Sequence, residues 1–303
     1  MNFTARGGHS LKEEVIKLQN GTGINVCYSV DRSKEAILFL HFSGGNISMW
    51  DGVLPLFEQN YSIIAPDMRG HGKSDQLATG YHIDEMAKDV YLLLEELDVS
   101  RCHVVGSSMG AEIGLSLAAN YPEIVLSLIC EGALYNEFGE YGLFQGNEEE
   151  VEKYKHHVRA ELSKRKNLFR TEEEFIDVQK EILQEQGIWN EHFLQFFKSA
   201  IERTEDGCYT YRYKNHVRKE YIEKYWTIQF EEYYQKVTCP VLFLPSEEES
   251  ANPIIQNNLK VFSSWLNKSQ VRYINNSIHA YVWMQDPKSV VHAVKSFISD
   301  VYH

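Results

Sequence analysis

Ser108 lies in a five-residue pattern, Gly-x-Ser-x-Gly at positions 106–110, that can turn a serine hydroxyl into a nucleophile. Two β-branched residues precede the pattern, and an apolar segment rich in small side chains follows it at 111–120. This order predicts a strand, a sharp turn and a helix. Ser108 would lie at the tip of the turn, and the glycines would allow the strand and the helix to approach closely. Such a turn directs the N–H of Met109 at the atom that the hydroxyl attacks, where the helix N-terminus favours developing negative charge.

A serine hydroxyl attacks a carbonyl only with the help of a base, most often a histidine that a carboxylate orients. Among the 12 histidines, His279 follows a predicted strand at 271–274 by a short polar loop. Sites in α/β sheets form at the carboxyl ends of strands, so His279 is the candidate base. His41 also ends a predicted strand, but it adjoins a glycine-containing loop, and we predict that it orients that loop.

Carboxylates follow two of the predicted strands, and each position is suited to the acid that orients the base. Glu247, Glu248 and Glu249 come after the strand at 241–244, and Glu131 comes directly after another apolar run. A solvated acidic turn would explain at least two of the three adjacent glutamates. The residue pattern alone therefore leaves the acid open among these four side chains.

The elements that must position these residues alternate between strand and helix, which predicts a mostly parallel sheet flanked by helices on both faces. Continuous apolar runs such as 36–40 are typical of strands buried on both faces. The predicted strands are a hairpin at 15–18 and 24–30, then 36–40, 61–65, 102–105, 124–130, 241–244 and 271–274.

Composition changes near Leu134, and from there to about Val237 the sequence is charged, aromatic and helical in its periodicity. We therefore predict an all-helical cap at 135–237, inserted between a first body segment at 1–134 and a second at 238–303. The aromatic side chains of the cap favour a partly apolar substrate.

The formal net charge of −13 argues against nucleic acid or an anionic membrane as a partner, because both require a basic surface. The five cysteines lack the paired spacing of a disulfide framework or a zinc site, which favours a reducing compartment. Residues 1–14 lack the apolar core of a signal peptide, and no apolar run has the length of a membrane span. The sequence thus predicts a cytoplasmic protein that acts on a small molecule without inserting into a membrane and without a metal or cofactor.

Four motifs, in their order along the chain, resemble those of the α/β-hydrolase fold superfamily in its capped form. They are the strand and His-containing loop at 40–45, the Asp-x-Arg-Gly-x-Gly-x-Ser loop at 67–74, the serine turn at 106–110, and His279 followed by Asp286 and Pro287. The resemblance covers about residues 15–134 and 238–300. It implies the α/β-hydrolase fold with a helical cap over the carboxyl edge of the sheet.

The resemblance also implies a catalytic triad of Ser108, His279 and Glu249, where Glu249 matches the family's acid by its position after the penultimate strand. The same correspondence makes the N–H groups of Ser43 and Met109 the two donors of an oxyanion hole.

This chain departs from the family pattern at two positions. Phe42 replaces the usual glycine after the loop histidine, and glutamate stands where aspartate is commoner as the acid, which requires room for one more methylene. Some relatives take their acid from the end of the earlier strand, where this chain carries Glu131.

The predicted function is hydrolysis of a small ester-like substrate, a carboxylester, lactone or related acyl compound, through an acyl-enzyme. A serine nucleophile disfavours dehalogenase and epoxide-hydrolase chemistry. One alternative is hydrolysis of a carbon–carbon bond in a β-diketone-like substrate, although similar capped proteins tend to carry asparagine where Ser107 stands. Another alternative is a non-catalytic protein of this fold that binds a small molecule, which the presence of serine, base and acid disfavours.

Overall fold

A computed structural model describes residues 11–302, and eight of its strands form one sheet in the order β1-β2-β4-β3-β5-β6-β9-β10. In chain order, the strands of this sheet are β1 (Lys12–Lys17), β2 (Gly23–Ser29), β3 (Ala36–Leu40), β4 (Ser62–Pro66), β5 (Cys102–Ser107), β6 (Val125–Glu131), β9 (Val241–Phe243) and β10 (Ser269–Val271). β1 and β2 form the antiparallel hairpin predicted from the sequence, β2 pairs antiparallel with β4, and all other pairs are parallel.

Within residues 11–302, twelve α-helices cover the sheet and extend beyond its carboxyl edge. They are α1 (Leu54–Phe57), α2 (Ile83–Glu96), α3 (Met109–Asn120), α4 (Glu148–Lys164), α5 (Glu172–Glu185), α6 (Glu191–Ser199), α7 (Asn215–Tyr225), α8 (Phe230–Tyr234), α9 (Glu247–Ala251), α10 (Pro253–Trp265), α11 (Val282–Gln285) and α12 (Pro287–Tyr302). A short 3-10 helix at Ile47–Trp50 precedes α1.

Two apolar cores lie on opposite faces of the sheet, because successive side chains of a strand point to opposite faces. In β3, Leu38 and Leu40 belong to the core that contains α2 and α3, whereas Ile37 and Phe39 belong to the core that contains α12. All four side chains are fully buried, which explains why the sequence of β3 is a continuous apolar run rather than an alternating one.

The central strands end together, and this register builds the edge on which the site lies. Leu40 of β3 pairs with Gly106 of β5, Gly106 pairs with Cys130 of β6, and Cys130 pairs with Phe243 of β9. The loops that follow these four strands therefore converge at one edge of the sheet.

The last strand lies earlier than the sequence predicts. The prediction of a strand at 271–274 is wrong in its bounds, since β10 ends at Val271. The strand next to it, β9, is only three residues long, so β10 finds hydrogen-bonding partners over three residues only. The chain then turns toward the site through a longer loop, 272–278.

The region between β6 and β9 holds five of the helices, α4 to α8, as expected for the predicted cap at 135–237. It also contains a two-stranded antiparallel sheet of β7 (Ile201–Arg203) and β8 (Tyr209–Tyr211), which the prediction of an all-helical cap did not include. A tight turn closes this hairpin, in which Gly207 has a φ of 87° and the N–H of Thr204 donates to the carbonyl of Cys208.

Within residues 11–302, no helix is both long and apolar enough to cross a membrane, and no group of three or more His, Cys, Asp or Glu side chains is arranged to hold a metal ion. The five cysteines are free thiols. The predicted absence of a signal peptide concerns residues 1–14, most of which lie outside the described part of the chain.

Candidate active site

Ser108 joins β5 to α3 in a strained turn, with a φ of 51° and a ψ of −117°. The two flanking glycines make this turn possible because the neighbouring backbone is too close for a side chain. A Cβ on Gly106 would lie 2.4 Å from the carbonyl oxygen of Gly110, and a Cβ on Gly110 would lie 2.0 Å from the carbonyl oxygen of Leu40. The turn lifts the Ser108 hydroxyl above the carboxyl edge of the sheet.

His279 lies against this hydroxyl, although 171 residues separate the two in sequence. Nε2 of His279 is 2.9 Å from Oγ of Ser108, which is hydrogen-bonding distance. The ring is held at the end of the loop after β10, next to Ala280, whose φ is 64°. The structure thus brings together the two residues that the sequence predicts as nucleophile and base.

Two carboxylates lie near the other nitrogen of the same ring. Nδ1 of His279 is 3.0 Å from Oε1 of Glu249 and 3.5 Å from Oε1 of Glu131. Despite this short distance, the N–H at Nδ1 is poorly aligned with Oε1 of Glu249. Neither of these two atoms therefore makes a hydrogen bond of good geometry. Such contacts in unliganded sites commonly tighten only when substrate is bound. Glu247 and Glu248, the remaining acid candidates, flank the same helix start and form no ion pair with His279 in the described part of the chain.

Glu131 and Glu249 differ in what else they bind. Glu131 is 1% exposed and accepts three hydrogen bonds, from the Ser107 hydroxyl at 2.6 Å, the Ala280 N–H at 2.6 Å and the indole N–H of Trp283 at 3.3 Å. Glu249 lies in the first turn of α9 and forms a capping box with Ser246. Its Oε2 accepts a hydrogen bond from the backbone N–H of Ser246 at 2.8 Å, which leaves Oε1 directed at His279.

These surroundings shift the pKa values of the two carboxylates in opposite directions. Burial raises the pKa of Glu131, since it outweighs the imidazole charge and the hydrogen bonds that favour ionisation. Burial also acts to raise the pKa of Glu249, but the close contact with the charged ring of His279 and the hydrogen bond from the Ser246 N–H outweigh it and lower that pKa. Burial would lower the pKa of His279, yet the charges of Glu131 and Glu249 raise it to about 9. Both carboxylates therefore stabilise the imidazolium, and Glu249 is the one that lies closer to Nδ1 and whose ionised form is favoured.

Of the two residues predicted to supply the N–H groups of an oxyanion hole, Met109 directly follows Ser108 and Ser43 lines the same cavity. Met109 is the first residue of α3, so its N–H is one of the amides that a helix cannot satisfy internally. Ser43 lines the same cavity as Ser108, and its hydroxyl lies 2.7 Å from the hydroxyl of Tyr213, which fixes the loop after β3 to the cap.

His41 supports the loop after β3, in agreement with its predicted structural part. Nε2 of His41 accepts the N–H of Met68 at 2.9 Å, and Nδ1 donates to the carbonyl of Phe42 at 2.8 Å. Burial lowers the pKa of this imidazole, which keeps it neutral. A second buried group, the carboxylate of Asp67, accepts the N–H of Ile47 at 2.8 Å and so ties the same loop to the loop after β4.

A cavity of about 290 Å³ opens above Ser108, between the sheet edge and the cap. Its wall consists of three loops of the body, the start of α3, and residues of α4 and α7. The lining residues are Ser43, Ser108, Glu112, Gly132, Ala133, Leu134, Tyr135, Glu137, Tyr154, Val158, Tyr221, Ile222, Tyr225, Trp226, Phe230 and His279. Ser108 and His279 thus face a partly open, largely aromatic space of the size of a small-molecule site.

Glu112 is the lining residue that the sequence reasoning missed. It lies one turn after Ser108 on α3, it is 5% exposed, and it accepts hydrogen bonds from the Tyr221 hydroxyl at 2.9 and 3.0 Å. A signal was available, because Glu112 is the only charged residue between positions 104 and 122. A single charge in an apolar helix that starts at the nucleophile marks a side chain directed at the site.

Comparisons with known proteins agree with this architecture. A family model described as alpha/beta hydrolase fold matches residues 35–283. An uncharacterized protein of Mycobacterium tuberculosis is 34% identical over 111 residues, which span 37% of this chain and 33% of that protein. The 3-oxoadipate enol-lactonase 2 of Acinetobacter baylyi is 37% identical over 90 residues, 30% of this chain and 34% of that enzyme. The matched segments thus span about a third of the length of these relatives.

A solved structure of E-2-(acetamidomethylene)succinate hydrolase superposes with a TM-score of 0.74 at 21% identity, covering 95% of this chain and 99% of that one. At this identity the superposition establishes the shared fold.

Proposed function

The chain belongs to the alpha/beta hydrolase fold family, and we propose that it is a serine hydrolase that cleaves a small ester-like substrate through an acyl-enzyme. One observation carries the proposal. Ser108 Oγ lies 2.9 Å from Nε2 of His279, while Nδ1 of the same ring lies 3.0 Å from Glu249. This is the arrangement in which an imidazole can take the serine proton and a carboxylate can stabilise the charge that results.

In the proposed reaction, Ser108 Oγ forms a bond to the substrate carbonyl carbon while Nε2 of His279 takes the hydroxyl proton. The carbonyl oxygen becomes an oxyanion, which the N–H groups of Met109 and Ser43 stabilise, each by about 3 kcal/mol in the manner of other oxyanion donors. The tetrahedral intermediate collapses when His279 gives the proton to the leaving alcohol or thiol, which departs. Water then attacks the acyl-enzyme, losing its proton to His279, and Ser108 regains that proton as the acid product leaves.

We propose Glu249 as the triad acid and Glu131 as a positioning residue. Glu249 lies closer to Nδ1, and its lowered pKa keeps it ionised. Three donors already engage Glu131, and burial raises its pKa, so it is better suited to hold the Ala280 backbone next to His279. We also propose a cytoplasmic location, on the basis of cysteine usage.

Hydrolysis of a carbon–carbon bond gains no support from the residues around Ser108. Similar capped proteins that cleave carbon–carbon bonds tend to carry asparagine at the position that Ser107 occupies in this chain. The side chain of Ser107 is fully buried beneath the turn, where its hydroxyl donates a hydrogen bond to Glu131. It is directed away from the cavity and makes no contact available to a substrate. The ester-like substrate class therefore remains the proposal.

Labelling by a fluorophosphonate probe tests the proposed nucleophile. We expect the protein to be labelled at Ser108 and to hydrolyse p-nitrophenyl acetate, and we expect Ser108→Ala to lose both properties. Ser107→Ala is the matched control, since it removes the neighbouring buried hydroxyl and should retain the label. Labelling or turnover that survives in Ser108→Ala would overturn the assignment.

A further inference from the structure

The cavity above Ser108 combines aromatic rings with carboxylates, and among its described lining residues the only basic side chain is the candidate base, His279. Five of its lining residues are phenol or benzene rings, namely Tyr135, Tyr154, Tyr221, Tyr225 and Phe230. Two others are carboxylates, Glu112 and Glu137, and no Lys or Arg is among the lining residues in the described part of the chain. Aromatic faces carry negative potential, so rings and carboxylates add to a field that attracts a cation.

Glu112 is buried in this cavity without a Lys or Arg partner in the described part of the chain, and the imidazole of His279 acts on it only at longer range. Its side chain is 5% exposed, and no Lys or Arg within residues 11–302 forms an ion pair with it. Tyr221 donates its single hydroxyl proton to the two carboxylate oxygens, which leaves most of their acceptor capacity unused. Buried carboxylates are normally paired or more fully hydrogen bonded, so the arrangement leaves room for a positive ligand.

Glu137 is placed similarly at a second point of the cavity wall. Its Oε1 accepts the hydroxyl of Tyr154 at 2.5 Å, so here too a carboxylate is held by a phenol rather than by a cation. A ligand in the cavity thus meets two carboxylates, each in contact with an aromatic ring of the cap.

Two basic side chains lie over the ring of Trp226, one of the lining residues, and both are already paired. Lys155 lies 5.9 Å and Arg159 lies 5.2 Å from the Trp226 ring. Arg159 forms a bidentate ion pair with Glu223, and Lys155 pairs with Glu152. Their charges are therefore compensated by these glutamates, and neither forms an ion pair with Glu112 or Glu137.

We propose that the substrate of this enzyme carries a cationic nitrogen, an alkylammonium or quaternary ammonium group, which binds between Glu112 and the aromatic rings of the cap. The inference rests on the proposed ester-like chemistry at Ser108. Since Glu112 follows Ser108 by one helical turn, about 5 Å along the axis, the cation lies within a few bonds of the scissile carbonyl. Burial raises the pKa of Glu112 to about 7, against the hydrogen bond from Tyr221, and a bound cation favours its ionised form.

Two isosteric pairs of esters test the proposal, one with the charge on each side of the scissile bond. Butyrylcholine is compared with 3,3-dimethylbutyl butyrate, and p-nitrophenyl 4-(trimethylammonio)butanoate with p-nitrophenyl 5,5-dimethylhexanoate. Each pair differs only by nitrogen in place of carbon. For at least one pair we expect kcat/KM to favour the cationic ester by about tenfold or more, the effect of a desolvated cation–π contact with a carboxylate nearby. Equal or lower values for the cationic ester in both pairs would overturn the proposal.

Glu112→Gln separates the charge from the shape of the site. Glutamine keeps the acceptor for Tyr221, so the variant should fold, and we expect the preference for the cationic ester to fall about tenfold. The neutral ester should lose less activity than the cationic ester, because it loses only the long-range effect of Glu112 on the His279 imidazolium. Tyr273→Phe is the matched control, because this exposed residue lies outside the cavity, and it should leave both values unchanged. An equal loss for both esters in Glu112→Gln would show a structural part for Glu112 and contradict the proposal.

Calorimetry with phenyltrimethylammonium makes the result independent of turnover. We expect this cation to bind Ser108→Ala protein, to bind the double variant with Glu112→Gln about tenfold more weakly, and to outcompete benzoate, the anionic control. If no ester is hydrolysed and no probe labels Ser108, the proposed function fails, and this measurement still decides the cation site. Tighter binding of benzoate would overturn it.

Discussion

His279 is the residue on which the proposed chemistry converges, because three carboxylates act on one imidazole. Glu249 faces Nδ1 from the first turn of α9, Glu131 faces it from the end of β6, and Glu112 acts at longer range from α3. Together they stabilise the imidazolium, the state that forms when Ser108 is deprotonated. The two nearer carboxylates are distinguishable by experiment since they differ in their other contacts.

Glu249→Gln should reduce kcat by about 10³-fold, because the amide no longer stabilises the imidazolium or its tautomer, while Glu131 compensates in part. Glu131→Gln should reduce kcat by less than about tenfold. It should also lower the free energy of unfolding by about 1–3 kcal/mol, because the new amide N–H would face the indole N–H of Trp283, and two donors cannot form a hydrogen bond. Turnover of p-nitrophenyl acetate and urea unfolding measure the two effects. A larger loss of kcat in Glu131→Gln would exchange the two assignments.

The pH dependence of kcat/KM reports the charge on His279. The base acts in its neutral form, and its pKa is raised to about 9, so kcat/KM should rise as the pH increases through that range. Removing the negative charge in Glu131→Gln makes the imidazolium less stable, which lowers the pKa and moves the rise to lower pH. Initial rates with a neutral ester, corrected for alkaline hydrolysis, measure this shift. An unchanged profile, or one moved to higher pH, would contradict the electrostatic account.

At the scale of helices and strands, the sequence predicts an element best where a single physical requirement decides which residue type can occupy a position. The apolar run of β3 and the two glycines of the serine turn predicted a buried strand and a strand–turn–helix unit, and both are present. The bounds of β10 were wrong because a three-residue neighbour, not the sequence of the strand itself, decides where pairing ends. The hairpin of β7 and β8 was missed because the charged and aromatic residues around it resemble those of the helices on either side.

Gly110→Ala tests how closely α3 must approach β3. The new Cβ would lie 2.0 Å from the carbonyl oxygen of Leu40, a backbone atom that cannot move aside alone. We expect the free energy of unfolding to fall by about 3 kcal/mol or more, measured by urea denaturation.

Gly114→Ala on the same helix is the matched control. Its Cβ would lie 2.9 Å from a methyl group of Leu128 and 3.0 Å from one of Val104, and side-chain ends such as these can shift. A better helix propensity offsets part of that strain, so we expect a change within about 1 kcal/mol. Equal losses in both variants would show that the helix-to-strand distance is not what requires glycine at position 110.

At the scale of the whole molecule, the cavity depends on contacts between segments that are distant in sequence. Asn190 at the start of α6 donates to the Met284 carbonyl at 2.9 Å, and Tyr221 of α7 donates to Glu112 of α3. Helical periodicity predicts that a cap helix has an apolar face, but it does not predict which side chain of the body that face meets. Ser108 and His279 were therefore predictable from local patterns, whereas Glu112 and its aromatic surroundings required the assembled fold.

The cavity should impose a cost on stability that depends on pH, because the Glu112 carboxylate is buried in it without a Lys or Arg partner in the described part of the chain. Burial raises the pKa of Glu112 from 4.5 to about 7. An acid whose pKa is higher in the folded than in the unfolded protein stabilises the fold fully only below its pKa in the unfolded protein. That contribution is lost as the pH rises through its pKa in the folded protein. At pH 8 we expect the free energy of unfolding of Glu112→Gln to exceed that of wild type by on the order of 2–3 kcal/mol. This difference should vanish near pH 4.5.

Thermal unfolding of wild type and Glu112→Gln at several pH values measures this difference. Glu96→Gln, at an exposed position of α2, is the control and should leave the melting temperature unchanged at every pH. A variant less stable than wild type at pH 8, or an equal difference at both extremes of pH, would contradict the prediction. A confirmed gain would mean that the chain retains a buried charge at the expense of stability, which is expected of a group kept for binding rather than for folding. Phenyltrimethylammonium should then raise the melting temperature of wild type at pH 8 and have little effect on Glu112→Gln.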